Sequence, residues 1–295
     1  MSFLQKIDPR PYKRSPIVYM GSKYRLLPDL RQVFRQSKGT DKFIDVFTGS
    51  MTVAFDSKFE NLAVNDIQKE LIDFYRWCRE SVDLNTIDRE VNGLYREYRP
   101  YEEKGFYKLR DRYNSDKSDM IAFFLVSTFC FDSFPRFSKA GNFNTPFGGD
   151  RVTTMDNKLR ILREFILKLR SCNVDFYSMD YKELIDTIGD SKKNLWYFDP
   201  PYLGTISNYT NNWKKESQAE FLKVLDSFIE KGIPFVFSYC EGFNGKENIS
   251  FREWMDKVKS SVNIRYPRIS YGNSASAKKI RNAKTNEVII YNFGE

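Results

Sequence analysis

Short apolar runs alternate with segments of helical periodicity over most of this chain, and that alternation restricts the fold more than any other feature. The runs have the length and composition of strands buried on both faces. They are KFIDVF (42–47), NLAVND (61–66), NVDFYS (173–178), NLWYFD (194–199), IPFVFSY (233–239) and NEVIIYNF (286–293). Helical patterns occupy 23–36, 67–80, 155–170 and 215–232, the last ending at Gly232. The chain is therefore predicted to be α/β, with a mainly parallel sheet covered by helices on both faces.

The alternation stops between residues 73 and 160, where charged residues, tyrosine and phenylalanine are frequent. Helix-like stretches fill this section, and it ends in the turn-rich sequence FPRFSKAGNFNTPFGGDR. Such a stretch inside an α/β pattern indicates an inserted, mostly helical module. We therefore predict one domain formed by residues 1–72 and 161–295, interrupted by a second module at 73–160.

The chain contains no histidine, and this absence narrows the chemistry available to it. A zinc site, a histidine-based triad and a Cys–His pair are all excluded, and no metal site is predicted. Any catalysis must rely on carboxylates, backbone groups and aromatic rings. The cysteines are far apart, as expected of buried thiols in a reducing compartment; they are Cys78, Cys130, Cys172 and Cys240.

The formal charge of the chain is +8, and aromatic residues make up 16% of it. Phosphates attract positive charge and bases stack on exposed rings, so this composition suits nucleic acid as a partner as well as it suits an ordinary solvated surface. No apolar run has the length of a membrane helix, and the N-terminal MSFLQKIDPRPYKRSP lacks the apolar core of a signal peptide. The expectation is a soluble, cytoplasmic protein with no membrane partner.

Glycine or acidic residues follow three of the predicted strands, at the edge where parallel sheets bind ligands. Gly49 lies in the turn of DVFTGSMTV, Asp66 ends the second strand and Asp199 ends a later one. Taken singly, each is better explained as a turn glycine or a helix N-cap. Their order in one α/β pattern indicates a nucleoside cofactor, and the absence of a GxGxxG fingerprint argues against a dinucleotide.

The sequence DPPY at 199–202 ends an apolar strand in a rigid turn, because its two prolines remove two backbone donors. An exocyclic amine of a base is a weak nucleophile, since its lone pair is delocalised into the ring. Asp199 and the carbonyl of Pro200 can accept the two N–H groups of such an amine, and Tyr202 offers a stacking face. The motif therefore fits methyl transfer to a base nitrogen without a thiolate or a histidine.

The chain resembles the Dam-type adenine-N6 DNA methyltransferases, the group that carries DPPY. Five further segments are similar to that family and occur in the right order: PIVYMGSK, DVFTGSMTVAF, LAVNDIQKELIDFY, NFNTPFG and RISYGNSASAKKIRNAKTNEVIIYNF. The resemblance covers nearly the whole chain. It implies a Rossmann-like methyltransferase sheet with an inserted, mostly helical target-recognition domain at 73–160, and S-adenosyl-L-methionine as the cofactor.

Carried over residue by residue, the resemblance gives the catalytic role to Asp199, Pro200 and Tyr202. The residues that it places at the cofactor are Tyr19, Lys23, Phe47, Gly49, Asp66, Asp180 and Asp199. Among these, Asp66 falls on the acid that holds the ribose of the cofactor. Asp180 falls on an acid that approaches the cofactor's adenine.

The same resemblance implies double-stranded DNA as the partner. Arg136 falls on an arginine that reads a guanine, and Phe131 lies near an aromatic ring that enters the duplex as the target base is flipped out. Asp132 and Phe134 replace residues around the target, so the recognition sequence of the family is not transferred. The basic residues predicted to contact DNA phosphates are Lys278, Lys279 and Arg281.

Two departures from the family motifs fall in the cofactor segments. Met51 replaces the second glycine of the usual FxGxG loop, and Ser22 replaces the second glycine before Lys23. We expect both residues to be tolerated only where the backbone keeps ordinary dihedral angles, because a side chain at positive φ is strained.

The predicted function is transfer of a methyl group from S-adenosyl-L-methionine to N6 of a flipped adenine in DNA, with specific or relaxed choice of site. Two alternatives stay open. One is cytosine-N4 methylation, which usually has serine in place of the leading aspartate of DPPY. The other is a DNA-binding homologue without turnover, for example through obstruction of the cofactor by Met51. The protein is expected to be a monomer. A cognate restriction endonuclease is an expected partner.

Overall fold

The computed structural model describes residues 12–19, 21–80, 83–149, 155–203, 213–243, 246–267 and 287–294. Contacts between Cα atoms divide the chain into two compact units. The first contains Arg25–Phe47 and the described part of Tyr181–Glu295. The second contains the described parts of Pro11–Tyr24 and Thr48–Asp180. The predicted domain boundaries, with an insertion at 73–160, stay a prediction.

Strands are short in both units. They are β1 Lys42–Asp45, β2 Asn61–Asn65, β3 Asn173–Tyr177, β4 Asn194–Phe198, β5 Phe235–Cys240, β6 Gly242–Phe243, β7 Lys246–Glu247, β8 Asn263–Arg265 and β9 Glu287–Tyr291. Seven of these strands, all except β6 and β7, belong to a mostly parallel sheet. In the first unit β4 pairs in parallel with β1 and β5, and β9 runs antiparallel to β5 and β8. In the second unit β2 and β3 pair in parallel.

Helices account for most of the remaining described residues. They are α1 Leu27–Phe34, α2 Thr52–Asp56, α3 Lys69–Glu80, α4 Leu84–Tyr98, α5 Glu102–Ser115, α6 Met120–Phe129, α7 Met155–Arg170, α8 Tyr181–Ile188, α9 Lys215–Lys231 and α10 Ile249–Val258. Side chains cap several of them: Asp83 accepts the Thr86 N–H at the start of α4, and Asn248 accepts the Phe251 N–H at the start of α10. Within the described ranges, no helix is long and apolar enough to cross a membrane.

The predicted α/β class and mostly parallel sheet are confirmed. Each of the six apolar runs contains a strand, β1 to β5 and β9, with small changes at the ends. Gly232 ends α9 in the left-handed region, with φ of +64°, as predicted. The expectation of buried thiols also holds, since all four cysteines are buried and none forms a disulfide. The periodicity missed the short strands β6, β7 and β8 and the helices α2, α8 and α10.

The end of the helical section in the second unit folds back on itself after α6. Isolated bridges pair Cys130 with Phe147 and Phe137 with Phe143. Between them, the Thr145 hydroxyl donates to the Phe134 carbonyl at 2.8 Å and accepts the Arg136 N–H at 2.8 Å. We call residues 130–148 the recognition hairpin, because it carries the residues predicted to read DNA.

Met51 does not keep the ordinary dihedral angles that we expected for it. Its φ is +57° and its ψ is +17°, in the left-handed region, whereas Ser22 is absent from the residues at positive φ. The Met51 side chain is fully buried, with 0% exposed. The residue therefore has a backbone conformation that favours glycine and places a side chain in the core.

We predict that Met51→Gly lowers the free energy of unfolding by about 1–4 kcal/mol. Loss of a buried methionine side chain costs about 2–5 kcal/mol, and relief of the left-handed conformation returns only about 1 kcal/mol. Met51→Ala is the matched control, since it removes the side chain but keeps the strain, and it should be about 1 kcal/mol less stable than Met51→Gly. Urea denaturation measures both; a glycine variant more stable than the wild type would contradict the packing argument.

Candidate active site

The DPPY segment lies directly after β4 in the first unit. All of β4 beyond its first residue is buried, and the chain leaves the sheet at Asp199, where the prolines prevent further pairing. Pro200 is buried, whereas Asp199 and Tyr202 are partly exposed. The turn thus presents a carboxylate and an aromatic ring at the carboxyl end of a central strand, where sheets of this type bind ligands.

Two buried hydroxyl groups connect Asp199 to the sheet. The Ser238 hydroxyl on β5 donates to Asp199 Oδ1 at 3.1 Å, and the hydroxyl groups of Ser238 and Tyr197 are 2.8 Å apart. Burial, followed by the charge of Asp199, raises the pKa of Tyr197 well above its usual range, so its phenol stays protonated. The Asp199 carboxylate therefore accepts a hydrogen bond from a neutral serine hydroxyl, which is itself bonded to a neutral tyrosine hydroxyl.

A second buried network fixes the residue after the motif. The backbone N–H of Leu203 donates to the Tyr239 hydroxyl at 3.2 Å, and that hydroxyl donates to Gln218 Oε1 at 2.7 Å. Asn248 and Gln218 exchange two hydrogen bonds through their side-chain amides, at 2.8 and 3.0 Å. Burial raises the pKa of Tyr239 to about 12. These contacts attach the end of the turn to α9 and to the N-cap of α10.

The Tyr202 ring packs edge-on against the Tyr239 ring, with 5.0 Å between their centroids. Burial raises the pKa of Tyr202 well above its usual range, and the negative charge of Asp199 raises it further. The ring therefore stays uncharged and is held at a fixed angle, as a stacking surface requires.

Phe47, predicted to line the cofactor pocket, belongs to an aromatic cluster in the first unit. Its ring lies 5.6 Å from Tyr181, 6.1 Å from Trp213 and 6.0 Å from Phe221. Phe221 also packs against Phe198, the last residue of β4, at 5.4 Å. The cluster thus adjoins the strand that carries the DPPY turn, and Phe47 itself is partly exposed.

Three residues predicted at the cofactor meet in the second unit. The Gly49 N–H donates to Asp66 Oδ2 at 2.8 Å, and its carbonyl accepts the Tyr75 hydroxyl at 2.7 Å. A Cβ atom on Gly49 would lie 3.2 Å from Cδ1 of Tyr19, so the ring is packed directly against the glycine backbone. With φ of +46°, Gly49 also has the conformation that favours glycine.

The Asp66 carboxylate suits a pair of hydroxyl donors. Oδ2 accepts the Gly49 N–H, and Oδ1 accepts the Gln68 N–H at 2.9 Å. Burial raises the pKa of Asp66, while these two backbone donors oppose that rise. A carboxylate offers about four acceptor positions, so both oxygens can still accept a hydroxyl. This pair of acceptors fits the ribose diol of a nucleoside.

Lys23 and Asp180, also predicted at the cofactor, differ in their exposure. Lys23 is buried, and its Nζ donates to the Gly21 carbonyl at 2.8 Å. Asp180 is exposed and directly precedes α8. Sequence reasoning missed Asn65, whose side chain exchanges two hydrogen bonds with the Met179 backbone, at 3.0 and 3.1 Å. A buried asparagine at the end of a mostly apolar strand was the available signal.

The residues predicted to read DNA differ in exposure and packing within the recognition hairpin. Phe131 is 52% exposed, unusual for so large an apolar side chain. Asp132 follows it at the surface in the left-handed region, with φ of +58°. Phe134 packs on Tyr19, with ring centroids 6.1 Å apart. Arg136 is partly exposed, and no acidic group of the described residues forms an ion pair with it.

The predicted phosphate contacts Lys278, Lys279 and Arg281 lie outside the described residues. Within the part of the chain that the structure describes, no group of three or more cysteine, aspartate or glutamate side chains is placed to hold a metal ion.

Comparison with known proteins identifies the family. A family model described as D12 class N6 adenine-specific DNA methyltransferase matches residues 19–268. The chain belongs to this family. The resemblance inferred from DPPY and its companion motifs is thereby confirmed, and with it the Rossmann-like methyltransferase fold class.

Individual relatives are similar to this chain over most of its length. Modification methylase StsI of Streptococcus sanguinis is 25% identical over 292 residues, which cover 96% of this chain and 43% of the relative. Type II methyltransferase M.FokI of Planomicrobium okeanokoites is 26% identical over 293 residues, with the same coverage of 96% and 43%. DNA adenine methylase of Escherichia coli (strain K12) is 24% identical over 278 residues, which cover 90% of this chain and 92% of the relative. The D12-class chain thus spans less than half of the first two relatives and nearly all of the third.

Proposed function

We propose that this D12-class chain transfers a methyl group from S-adenosyl-L-methionine to N6 of adenine in double-stranded DNA. The observation that carries the proposal is the rigid turn after β4, which presents Asp199 and Tyr202 at the carboxyl end of the strand. Family membership supports adenine N6 rather than cytosine N4 as the target.

The turn supplies the acceptors that an adenine amine needs. Asp199 and the carbonyl of Pro200 accept the two N–H groups of N6, which draws the nitrogen out of conjugation with the ring and exposes its lone pair. The Tyr202 ring stacks on the extruded base. The amine carries a surplus proton once it has been alkylated, and the carboxylate of Asp199 lies within reach to accept it.

The second unit supplies the cofactor residues of the proposal. Asp66 binds the ribose diol, Tyr19 and Gly49 form an adjoining surface, and Lys23 and Asp180 contribute polar groups. When bound, S-adenosyl-L-methionine supplies a methyl group on a positively charged sulfur, which is the electrophile that the reaction needs. The acceptor arrangement at Asp66 supports this assignment.

An assay with mixed-sequence DNA and S-adenosyl-L-methionine tests the proposal. The DNA is digested to nucleosides after incubation and analysed by mass spectrometry. We expect N6-methyldeoxyadenosine. N4-methyldeoxycytidine in its place would overturn the choice of base, and unmodified DNA that is nevertheless bound would favour a homologue without turnover.

DNA recognition is proposed to depend on the recognition hairpin. Phe131 enters the duplex beside the extruded base, and Asp132 and Phe134 lie near the target. Arg136 contacts a guanine through its two forked N–H groups. The basic residues Lys278, Lys279 and Arg281 are proposed to bind phosphates.

We predict that Arg136→Lys broadens the choice of methylated sites while total DNA binding changes little. Lysine keeps the charge that attracts phosphates but loses the planar fork, which is worth about 1–3 kcal/mol of discrimination at one base pair. Sequencing of methylated sites measures the effect. Lys139→Ala, an exposed residue of the same hairpin, is the control; it should weaken binding at all sites equally. An unchanged site profile in Arg136→Lys would remove Arg136 from the reading surface.

Two relatives are named as a modification methylase and a type II methyltransferase. These names support a role in the modification of DNA. On that ground we propose that the chain protects DNA from a cognate restriction endonuclease. A monomer is proposed as the active species, and size-exclusion chromatography with light scattering measures it.

A further inference from the structure

One polar side chain in the core of the first unit lies outside the six segments that carry the family resemblance. Ser238 lies in β5, FVFSYC, where every residue is buried, and it is itself 0% exposed. A hydroxyl in such a strand is unfavourable unless it forms hydrogen bonds. The Ser238 hydroxyl forms such bonds with Tyr197 and Asp199.

The strand register brings Ser238 to the DPPY turn. β4 and β5 are parallel, with Tyr197 opposite Val236 and Phe198 opposite Phe237. Continued by one residue, this register sets Asp199 beside Ser238. Because side chains alternate along a strand, Tyr197 and Asp199 point to the same face of β4. The sheet itself therefore aligns the three polar groups.

The direction of the hydrogen bonds follows from the donors available. An ionised carboxylate only accepts, so the single Ser238 hydrogen goes to Asp199 Oδ1, 3.1 Å away. Tyr197 must then donate its own hydrogen to the Ser238 oxygen, at 2.8 Å. Tyr197 is 1% exposed, so water does not compete for this bond. The chain of donors is Tyr197 to Ser238 to Asp199, and it determines how the serine hydroxyl points.

Negative charges in the first unit make the hydrogen bond from Ser238 important for the ionisation of Asp199. In the first unit, Asp45 at the end of β1 and Glu287 at the start of β9 are negative charges that, together with burial and Asp199, raise the pKa of Tyr197. Asp199 and Glu287 also raise the pKa of Tyr202. Carboxylates in proximity disfavour each other's ionisation, and a hydrogen bond to the charged form opposes that effect.

We propose that Ser238, oriented by Tyr197, is a positioning residue that fixes the rotamer of Asp199 and keeps its carboxylate ionised. A fixed, charged carboxylate aims its remaining lone pairs at the substrate amine. The catalytic consequence rests on the proposed function, whereas the orientation and charge of Asp199 can be measured without turnover.

The test compares Ser238→Ala, Ser238→Thr and Tyr197→Phe by two measurements. The first is a ¹³C NMR titration of the Asp199 carboxyl, whose signal is identified by its loss in Asp199→Asn. The second is steady-state kinetics of DNA methylation. Ser238→Ala should move the carboxyl titration midpoint up by about one pH unit. It should lower kcat about tenfold or more and leave KM for DNA within about twofold.

The other variants separate hydrogen bonding from packing. Ser238→Thr keeps the hydroxyl and should stay close to the wild type in both measurements, and Tyr197→Phe should shift the midpoint in the same direction by a smaller amount. Ser127→Ala is the matched control, because Ser127 is a buried serine in α6 of the other unit, and it should change neither quantity.

An unchanged midpoint in Ser238→Ala overturns the inference, as does a threonine variant that behaves like the alanine variant. If the wild type leaves DNA unmodified, the proposed function fails, and the titration alone then decides whether Ser238 positions Asp199. If Ser238→Ala does not fold, the midpoint of Tyr197→Phe decides in its place, and a value equal to that of the wild type counts against the inference.

Discussion

Asp199→Ala is expected to lower the rate of adenine methylation by about 10³-fold or more while DNA binding stays within about twofold. The carboxylate is the one charged acceptor of the DPPY turn, and loss of a group that interacts with charge developing in a transition state costs about 10²–10⁴-fold. The turn itself should survive, because the prolines and the Leu203–Tyr239 contact remain. Single-turnover methylation and fluorescence anisotropy of labelled DNA measure the two quantities.

Two further variants sharpen this result. Asp199→Asn keeps the shape and one acceptor oxygen but loses the charge, so its defect should be smaller, about 10²-fold. Asp190→Asn removes an exposed carboxylate that pairs with Lys231, and it should stay within about twofold of the wild type, as surface ion pairs contribute little. If Asp199→Ala keeps more than about a tenth of its turnover, the carboxylate does not have the assigned role.

Asp66→Ala is expected to weaken binding of S-adenosyl-L-methionine by about 100-fold. Two hydroxyl donors to a charged acceptor contribute about 3 kcal/mol together, and about 1.4 kcal/mol corresponds to a factor of ten. Isothermal titration calorimetry measures the dissociation constant. Glu60→Ala, at the exposed amino end of the same strand region, is the matched control and should bind normally. A dissociation constant within about twofold of the wild type in Asp66→Ala would remove the carboxylate from the cofactor site.

The pH dependence of cofactor binding gives an independent check on Asp66. Burial raises the pKa of this carboxyl above its ordinary value of 3.8, so folding favours its protonated form. The corresponding stability is fully present below pH 3.8 and is lost as the pH rises through the raised pKa. Cofactor affinity has the opposite trend: the diol needs an ionised acceptor, so affinity should fall with decreasing pH earlier than for an ordinary aspartate.

Asp66→Asn should not behave as a neutral substitution. Each Asp66 oxygen already accepts a backbone N–H, from Gly49 or from Gln68. The asparagine NH₂ must face one of these donors, which leaves a partly buried N–H without its acceptor and costs about 1–3 kcal/mol of stability. The asparagine variant should therefore unfold at a lower temperature than the wild type.

The sequence by itself determined the α/β class, the position of the DPPY turn and the family. Strand β4 and its end were predictable because a buried strand has a continuous apolar run and proline cannot continue a ladder. Helix α9 was predictable because its sequence has helical periodicity and this pattern ends at Gly232. Short elements were not: β8 contains three residues and lacks a period to recognise.

Only the tertiary structure decided how the polar groups around these motifs are paired. Ser238 and Asn65 are far in sequence from Asp199 and Met179, and their hydrogen bonds depend on strand register, which local periodicity does not encode. The left-handed conformation of Met51 was likewise hidden, because the core that encloses its side chain compensates for the backbone strain. The sequence supplied the reactive groups, and packing between distant strands decided which of them are held in place.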